Sequence, residues 1–446
     1  MTSLLSTFQD WPLHRRILAI ALPMVLSNIT VPLLGLVDAA VIGHLSHPWY
    51  LGGVALGGTM ISMSFWLLGF LRMSTTGMTA QAFGAQDSQE MAKVLLQGVS
   101  VALFFAALFL AFHPFIIDLS FWMSDASDEV KRSADTYFSI RIWSAPASLT
   151  NYVLLGWLLG VGRSKQAMWM VIVTNVFNII FDLLFVLGLG WQVAGAAAAS
   201  VLGDVLGMLL GIWFMRRTWQ ALMLPPLIDM FQLIGQNVGR LLSLNRDIFL
   251  RSLCLQAVFA TMTFYGASLG DNIIAANAVL MSFVMVISYA MDGFAYAVEA
   301  LIGKVIGQKR ADRLLESLFA NCMWGFFICI GLSLIFFFAG NVLINSMTDI
   351  DSVRNTAYEY LPWLVAMPLV SLWCFIFDGL FIGATKGREM RNGMVVAMLS
   401  FAITLYSTQS IANHGLWLAM SVFMAMRGIT LIAMFIIQWR RKEFIG

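Results

Sequence analysis

Residues 144–165, SAPASLTNYVLLGWLLGVGRSK, have a weak counterpart in residues 365–388, VAMPLVSLWCFIFDGLFIGATKGR. At a shift near 222 residues, one proline and two glycines coincide, and a basic cluster follows each segment. The matched pairs are Pro146 with Pro368, Gly156 with Gly379, and Gly160 with Gly383. The segment TAQAFGAQ (79–86) likewise resembles LIGKVIGQ (301–308). The chain therefore contains an internal repeat, which predicts two similar halves.

The composition around this repeat is that of a membrane protein. Of 446 residues, 60% are hydrophobic and only 11% are charged, whereas a soluble domain carries about 25% charged residues. The formal net charge of +2 gives no reason to expect a nucleic-acid partner. Four scattered cysteines lie in apolar runs without the spacing of a metal site or a disulfide framework. We therefore expect them to act as small hydrophobic side chains.

Apolar runs long enough to cross a bilayer, which takes about 20 residues, recur along the whole chain. They fall at about 17–42, 51–72, 93–120, 137–161, 167–190, 195–215, 247–270, 272–303, 317–343, 358–384, 390–410 and 415–438. The sequence therefore predicts an all-α integral membrane protein with twelve transmembrane helices. Most Lys and Arg residues fall in the inner segments if the N-terminus is inside, which predicts that both termini are cytoplasmic.

The longest polar connection, at about 216–246, divides the predicted spans into two sets of six. We predict an N-terminal six-helix lobe over 1–216, a cytoplasmic linker over 217–246 and a C-terminal six-helix lobe over 247–446. Because six is an even number, both lobes enter the membrane from the same side and form a parallel repeat. Secondary transporters built in this way bind substrate between the two lobes.

Several motifs resemble the multidrug and toxic compound extrusion (MATE) family. They are ALPMVLSN (21–28) followed by LVDAAVIGHL (36–45), LGGVALG (51–57), TTGMTAQAFGAQ (75–86) and NVFNIIFDLLFVLGLG (175–190). The segments FLRMSTTGMTAQAFGA, LNRDIFLRS and DGFAYAVEA are similar to its DNA-damage-inducible protein F branch. The resemblance implies two six-helix lobes in a V-shaped fold that export organic cations and other amphiphiles against an inward proton or sodium gradient. The branch implies coupling mainly to protons, in a bacterial inner membrane.

The resemblance also implies a site in the N-terminal lobe. Asp38 matches the family's aspartate in span one, and Pro23 matches the proline associated with bending of that helix. Further polar members of the same cavity match Asn178 and Asp182 in span five, Asn151 in span four, and Ser200 in span six. Asp378 falls where sodium-coupled relatives carry an acidic residue in the C-terminal lobe. The glutamate that those relatives carry in span seven has no counterpart here, which weakens the sodium interpretation.

The chemistry of these residues fits a site for a proton or cation. A carboxylate such as Asp38 in the middle of a span costs roughly 3 kcal/mol on insertion scales. Asn178 and Asp182 are four residues apart and lie on one helix face, so they need a shared polar interior. Burial favours the protonated form of a carboxyl group, which lets it load and unload a proton. The alternative is that each carboxylate merely pairs with a polar neighbour, and that Pro23 makes a static kink.

The predicted C-terminal lobe contains a second candidate polar site. Asp292 and Glu299 are seven residues apart and share a face of span eight, where either an ion site or structural pairing is expected. Arg427 is the one basic residue deep in a predicted span, so it needs a partner, and Asp378 and Glu299 are the candidates. A structural ion pair is favoured over a role in substrate binding.

We therefore predict a proton-coupled antiporter for amphipathic, often cationic, compounds, in which protonation of Asp38 and bending at Pro23 release substrate. Its partners are expected to be these small molecules, H+ or Na+, and membrane lipids; no cofactor or metal is expected, and the chain is predicted to be a monomer. A sodium-coupled or mixed exporter is one alternative. A lipid-precursor flippase is another, although it needs several cationic residues in the cavity. An enzyme is not expected, because HExxH, GxSxG and Walker-type motifs are absent from the sequence.

Overall fold

The computed structural model of the chain describes residues 7–43, 45, 47–122, 124, 126–226, 232, 234–236 and 238–444. Within these ranges the chain is helical and contains no β-strand. In chain order the α-helices are α1 Trp11–Gly43, α2 Pro48–Trp66, α3 Phe70–Gly84, α4 Ser88–Trp122, α5 Asp128–Arg141, α6 Ala145–Gly160, α7 Ser164–Asp182, α8 Gln192–Ala221, α9 Val238–Ser268, α10 Asp271–Gly307, α11 Ala311–Met347, α12 Asp351–Gly383, α13 Gly387–Ser407 and α14 Ala412–Arg440.

Short 3-10 turns join two pairs of these helices end to end. Leu67–Gly69 links α2 to α3, and Ile142–Ser144 links α5 to α6, so that each pair forms one rod. The described residues thus form twelve rods, which confirms the predicted fold class. Ten rods are long and apolar enough to cross a membrane. The other two, the α5–α6 rod and α13, are of similar length but more polar.

Local sequence explains where several helices begin and end. Pro48 is the first residue of α2, a position where its missing N–H costs nothing. Ser127 caps α5 by accepting a hydrogen bond from the backbone N–H of Val130. Gly270 separates α9 from α10 with φ +121°, a conformation that side chains rarely allow.

The chain divides into two compact units. The N-terminal unit comprises Leu26–Gly239, and the C-terminal unit comprises Arg240–Gly446 together with the residues up to Val25. The division falls within α1, two residues after Pro23. The first half of α1 therefore belongs to the C-terminal unit and the second half to the N-terminal unit. The predicted lobe boundaries at 216 and 246 stay predictions.

The repeated glycines allow the same kind of close helix contact in each unit. In the N-terminal unit, α6 packs on α3 at Gly156 and Gly160; in the C-terminal unit, α12 packs on α10 at Gly379 and Gly383. A Cβ added at any of these four positions would lie between 2.5 and 2.7 Å from an atom of the facing helix. Atoms cannot approach so closely, so glycine is required for the two helices to touch. The sequence repeat thus reflects a repeated helix contact.

The first half of α1 is held against α10 at Gly293. A Cβ on Gly293 would lie 2.9 Å from the backbone nitrogen of Val25 and 3.0 Å from the backbone oxygen of Ala21. Pro23 lies between these two residues. The helix contact therefore includes the turn of α1 that lacks a backbone donor.

Candidate functional site

The polar residues of α7 lie along one helix face. Asn175, Asn178 and Asp182 are three and four residues apart, a spacing that aligns side chains along a helix. All three are buried in the N-terminal unit. The α-helix ends at Asp182 and continues as a wider π-helical turn, Leu183–Gly188. Such turns are rare and occur frequently at functional sites.

Helix α8 packs against this face of α7. Asn178 donates a hydrogen bond from Nδ2 to Oγ of Ser200 at 3.2 Å, so two residues that the resemblance assigns to one cavity are in contact. The close approach depends on a glycine, since a Cβ on Gly203 would lie 3.1 Å from the Cβ of Asn178. The amide Oδ1 of Asn178 is buried and has no hydrogen-bond partner among the described residues.

The second half of α1 brings Asp38 towards Asp182. Nδ2 of Asn175 donates to Oγ1 of Thr30 at 2.6 Å, which joins α7 to α1. Asp38 follows Thr30 by eight residues, and Asp182 follows Asn175 by seven. The two helices are the first and fifth rods, which run in the same direction, so both carboxylates lie about 11 Å further along. There the negative charges of Asp38 and Asp182 are close enough to repel each other.

Apolar packing holds the end of α1 in place. Val41 and Ile42 belong to a buried cluster with Tyr137 of α5, Val186 of the π-helical turn, and residues at the start of α8. Asp38 lies one turn before this cluster and is half-buried. The hydrophobic packing of its neighbours therefore keeps the carboxylate inside the unit.

Asp38 and Asp182 have carboxylate oxygens without hydrogen-bond donors. Both oxygens of Asp182 and Oδ1 of Asp38 are buried and lack a hydrogen-bond partner in the part of the chain that the structure describes. An ionised carboxylate in such a place is costly, because buried polar groups in native proteins are nearly always satisfied. Binding a proton or another cation removes that cost. The pair is therefore suited to exchanging one cation for another.

Asn151 lies at the edge of this arrangement. Its Nδ2 donates to the backbone oxygen of Asp204 at 2.9 Å, which is one turn beyond Ser200 on α8. Its Oδ1 is buried without a partner among the described residues. Asn151 therefore contacts the same helix as Ser200 and leaves an acceptor unused.

Two residues of this region were missed by the sequence analysis. By sequence Arg141 lies near the outer end of the predicted span 137–161, but in the structure it is largely buried, and its Nη1 lies 2.8 Å from Oδ2 of Asp204. Tyr137, one turn earlier on α5, lies beside Arg141 and Ser200. Their spacing of four residues is the indication that the sequence offers. It is a weak one, because arginines near the ends of spans usually reach solvent.

The C-terminal unit contains a separate buried ion cluster around Asp378. Nη2 of Arg427 lies 2.7 Å from Oδ2 of Asp378, and Arg251 binds the same oxygen. Asp378 is one of the two partners that the sequence suggests for Arg427. The guanidinium of Arg427 also lies near the rings of Phe375 and Phe423, where its charge is favoured by the aromatic faces.

The position of Arg251 corrects a prediction. By sequence this residue counts with the inner basic residues, at the cytoplasmic end of the predicted span 247–270, whereas in the structure it lies within α9 and only 5% of its surface is exposed. Arg427 is therefore not the one buried arginine of the chain, since Arg72 and Arg251 are buried as well and Arg141 is largely buried. Arg141, Arg251 and Arg427 are each paired with an aspartate, because an unpaired buried charge costs several kcal/mol.

The remaining acidic candidates lie on α10. Glu299 is fully buried, at the contact with α12 where its backbone oxygen faces Gly383. Asp292 is half-buried, and its charge acts on Arg427. Asp292 also directly precedes Gly293, the residue on which the Pro23 turn of α1 packs. Of the two acids, Asp292 is thus the one that interacts with Arg427 and also adjoins the contact between α10 and the Pro23 turn of α1.

Comparison with known proteins shows what the chain resembles. The MatE family model matches residues 23–184 and 248–408. DNA damage-inducible protein F of Escherichia coli (strain K12) is 46% identical over 428 residues, which cover 96% of this chain and 93% of that protein. A probable multidrug resistance protein NorM of Synechocystis is 22% identical, with 87% of this chain and 85% of that protein covered.

Among solved structures, a MATE protein in the bent conformation has a TM-score of 0.81 at 18% sequence identity. The match covers all of this chain (100%) and 98% of that chain. At this identity the likeness concerns the fold alone. The two matched segments of the family model fall one in each half of the chain, as the internal repeat predicts.

Proposed function

The chain belongs to the MatE family, and from this premise we propose that it is a proton-coupled antiporter that exports amphipathic, often cationic, organic compounds. The relative from Synechocystis is named a probable multidrug resistance protein, which supports this class of substrate. The proposed location is the bacterial inner membrane, where the chain works as a monomer surrounded by lipid. The exchanged ion is H+, and no cofactor takes part.

One observation carries the proposal for coupling: Asp38 and Asp182 have buried carboxylate oxygens without donors among the described residues. In the empty site these groups hold protons, because an ionised carboxylate there has no compensating partner. A cationic substrate can replace a proton as the compensating charge. Proton and substrate then compete for the same carboxylates, which is the requirement for antiport.

The hinge of this cycle is proposed at Pro23. Proline removes one backbone hydrogen bond, so the helix can bend at little cost in that turn. The two halves of α1 belong to different compact units, and the division falls after Val25. We propose that protonation of Asp38 favours the bent helix and so expels substrate from the N-terminal unit. The related protein solved in a bent conformation motivates this step.

Coupling to sodium is the alternative, and the C-terminal cluster argues against a sodium site there. The carboxylate of Asp378 already binds two guanidinium groups, those of Arg251 and Arg427. A cation would have to displace an arginine, and a buried arginine without its partner is strongly unfavourable. Pairing of this kind also argues against a flippase, because Arg141, Arg251 and Arg427 are engaged by carboxylates and are not free to hold a pyrophosphate.

The proposal is tested by transport in proteoliposomes with imposed gradients. Purified protein should export ethidium when a proton gradient is applied, and a sodium gradient alone should not drive export. Asp38→Asn should abolish proton-driven export because it removes the exchangeable proton, and Asp182→Asn should weaken it. Asp135→Asn is the matched control: among the described residues, the carboxylate of this exposed aspartate on α5 accepts one hydrogen bond, from the hydroxyl of Ser139. Normal proton-driven export by Asp38→Asn would disprove the assignment.

A further inference from the structure

A buried ion pair lies beside the proposed proton site. Arg141 and Asp204 are 2.8 Å apart, with 14% and 16% of their side chains exposed. The pair is well supported: Arg141 also donates to Oγ of Ser144, and the hydroxyl of Ser148 donates to the carboxylate of Asp204. Both hydroxyls come from the junction of α5 and α6. The surrounding hydroxyl groups therefore hold this ion pair in a defined geometry. The pair has no part in the transport cycle proposed above.

Side-chain contacts connect this ion pair to the site. The side chain of Tyr137 lies beside both Arg141 and Ser200, and Ser200 accepts a hydrogen bond from Asn178. Asn178 precedes Asp182 by one turn of α7. A chain of contacts thus runs from Asp204 through Arg141 to the face that carries Asp182.

Packing brings Arg141 close to the turn of α1 that carries Asp38. Val37 and Ile140, the residues that directly precede Asp38 and Arg141 in the chain, pack against the same buried cluster around Tyr137. Arg141, which is bound to Asp204, thus lies near that turn, and its charge and that of Asp38 attract each other. Charges interact strongly in such a buried setting because little water is present to screen them.

The charges that face this region come from five helices. Asp38 is on α1, Tyr137 and Arg141 are on α5, Tyr152 is on α6, Asp182 is on α7 and Asp204 is on α8; Arg72 of α3 acts on Tyr152 from further away. With Asp38 and Asp182 protonated, the Arg141–Asp204 pair leaves the region neutral. Each proton that leaves adds one negative charge. Arg141 carries the positive charge that can compensate it.

We propose that Arg141 is a positioning residue of the proton site, and that its pairing with Asp204 sets the pH at which Asp38 exchanges its proton. When Asp38 is protonated, the guanidinium is held by Asp204. When Asp38 loses its proton, the guanidinium is shared between the two carboxylates and stabilises the ionised form. This inference rests on the proposed function, because it assumes that Asp38 carries the exchanged proton.

The proposal predicts opposite effects for the two partners. In Arg141→Gln the positive charge beside Asp204 is lost, so Asp38 should keep its proton to higher pH. In Asp204→Asn the guanidinium is no longer neutralised, so Asp38 should lose its proton at lower pH. Each shift should be about one pH unit, the lower end of what a charge at close range causes. The double variant should lie close to the wild type because both charges are removed.

The test measures ethidium binding to the purified full-length protein by fluorescence anisotropy across a pH series. Ethidium should bind the wild type less tightly as pH falls, with a midpoint at which Asp38 is half-protonated. Arg141→Gln should move this midpoint up, Asp204→Asn should move it down, and Arg141→Lys should keep it near that of the wild type. A purely structural role would lower the bound fraction of each variant without moving the midpoint in opposite directions.

Asp38→Asn separates this inference from the function on which it rests. If ethidium binding by the double variant Asp38→Asn/Asp182→Asn is still pH-dependent, the proposed function fails. If Asp38→Asn removes the pH dependence but Arg141→Gln and Asp204→Asn shift the midpoint in the same direction, or not at all, the inference about Arg141 fails alone. Should Arg141→Gln not fold, the sign of the shift in Asp204→Asn decides the question by itself.

Discussion

The guanidinium of Arg427 lies 2.7 Å from the carboxylate of Asp378, and both side chains are buried in the C-terminal unit. Arg427→Met leaves Asp378 with Arg251 alone, and we expect a loss of about 3 kcal/mol in the free energy of unfolding. The loss should appear as a lower melting temperature of the detergent-solubilised protein. Asp378→Asn should be at least as unstable, since it leaves two buried arginines without their carboxylate.

Ethidium export driven by a proton gradient is the second measurement for these variants. Protein that survives purification should still export ethidium under a proton gradient, because the exchangeable protons are assigned to the N-terminal unit. Arg313→Met is a suitable control, since its ion pairs with Asp10 and Glu316 are exposed and pairs of that kind contribute about 1 kcal/mol or less. If folded Asp378→Asn loses proton coupling, the ion site has to be assigned to the C-terminal unit instead.

Gly293 offers a test of the α1 hinge. Gly293→Ala would place a methyl group 2.9 Å from the backbone nitrogen of Val25, so α1 must move away from α10 near Pro23. We expect slower ethidium transport and a loss of about 1–3 kcal/mol in stability, as for other overpacked sites. Gly331→Ala in α11 is the matched control, because no atom of the described residues outside its own turn of helix lies within 4 Å of the added Cβ. Equal transport by both variants would count against a mechanical role of this contact.

Two asparagines near the start of α10 and α14 form a reciprocal pair of hydrogen bonds, and we expect its disruption to lower the stability of the protein. Nδ2 of Asn277 donates to Asn413 at 2.8 Å, Nδ2 of Asn413 donates back at 3.0 Å, and the indole of Trp417 donates to Asn277 at 2.9 Å. Asn277→Leu leaves buried groups unsatisfied on both partners, so stability should fall by about 2 kcal/mol. The double variant Asn277→Leu/Asn413→Leu should recover part of that loss. Thermal unfolding of the four proteins measures the difference; a double variant less stable than either single one contradicts the explanation.

The orientation in the membrane can be checked with fusions. We expect green fluorescent protein at the C-terminus to fluoresce, since the basic residues place that end in the cytoplasm. Alkaline phosphatase at the same position should be inactive, but active when inserted in the short connection between α4 and α5. The reversed pattern would overturn the predicted topology.

The sequence predicted well those properties that composition and spacing express locally. The number of helical rods follows from apolar runs, because a segment that crosses lipid must satisfy its backbone within itself. The repeat of Gly156 with Gly379 predicted two similar halves, and the structure shows both glycines at the same kind of helix contact. The face shared by Asn178 and Asp182 follows from helix periodicity, and their neighbour Ser200 was identified through the family resemblance.

The ends of the spans were predicted less well. Arg141 and Arg251 were counted with the basic residues at the ends of their predicted spans, because hydropathy averages over a window and does not register a single charge. Both proved to be buried beside aspartates on other helices. The partner of Arg251 is 127 residues away, and no local pattern in the sequence carries that information.

Sequence alone therefore determined the class of the fold, the twelve rods and their repeat, since each depends on residues near one another along the chain. Only the tertiary structure decided which buried charges meet: Arg141 with Asp204, and Arg251 and Arg427 with Asp378. It also divided α1 between two compact units after Val25. The physical reason is that the energy of a buried charge depends on its distance from a partner in space, and a linear sequence does not contain that distance.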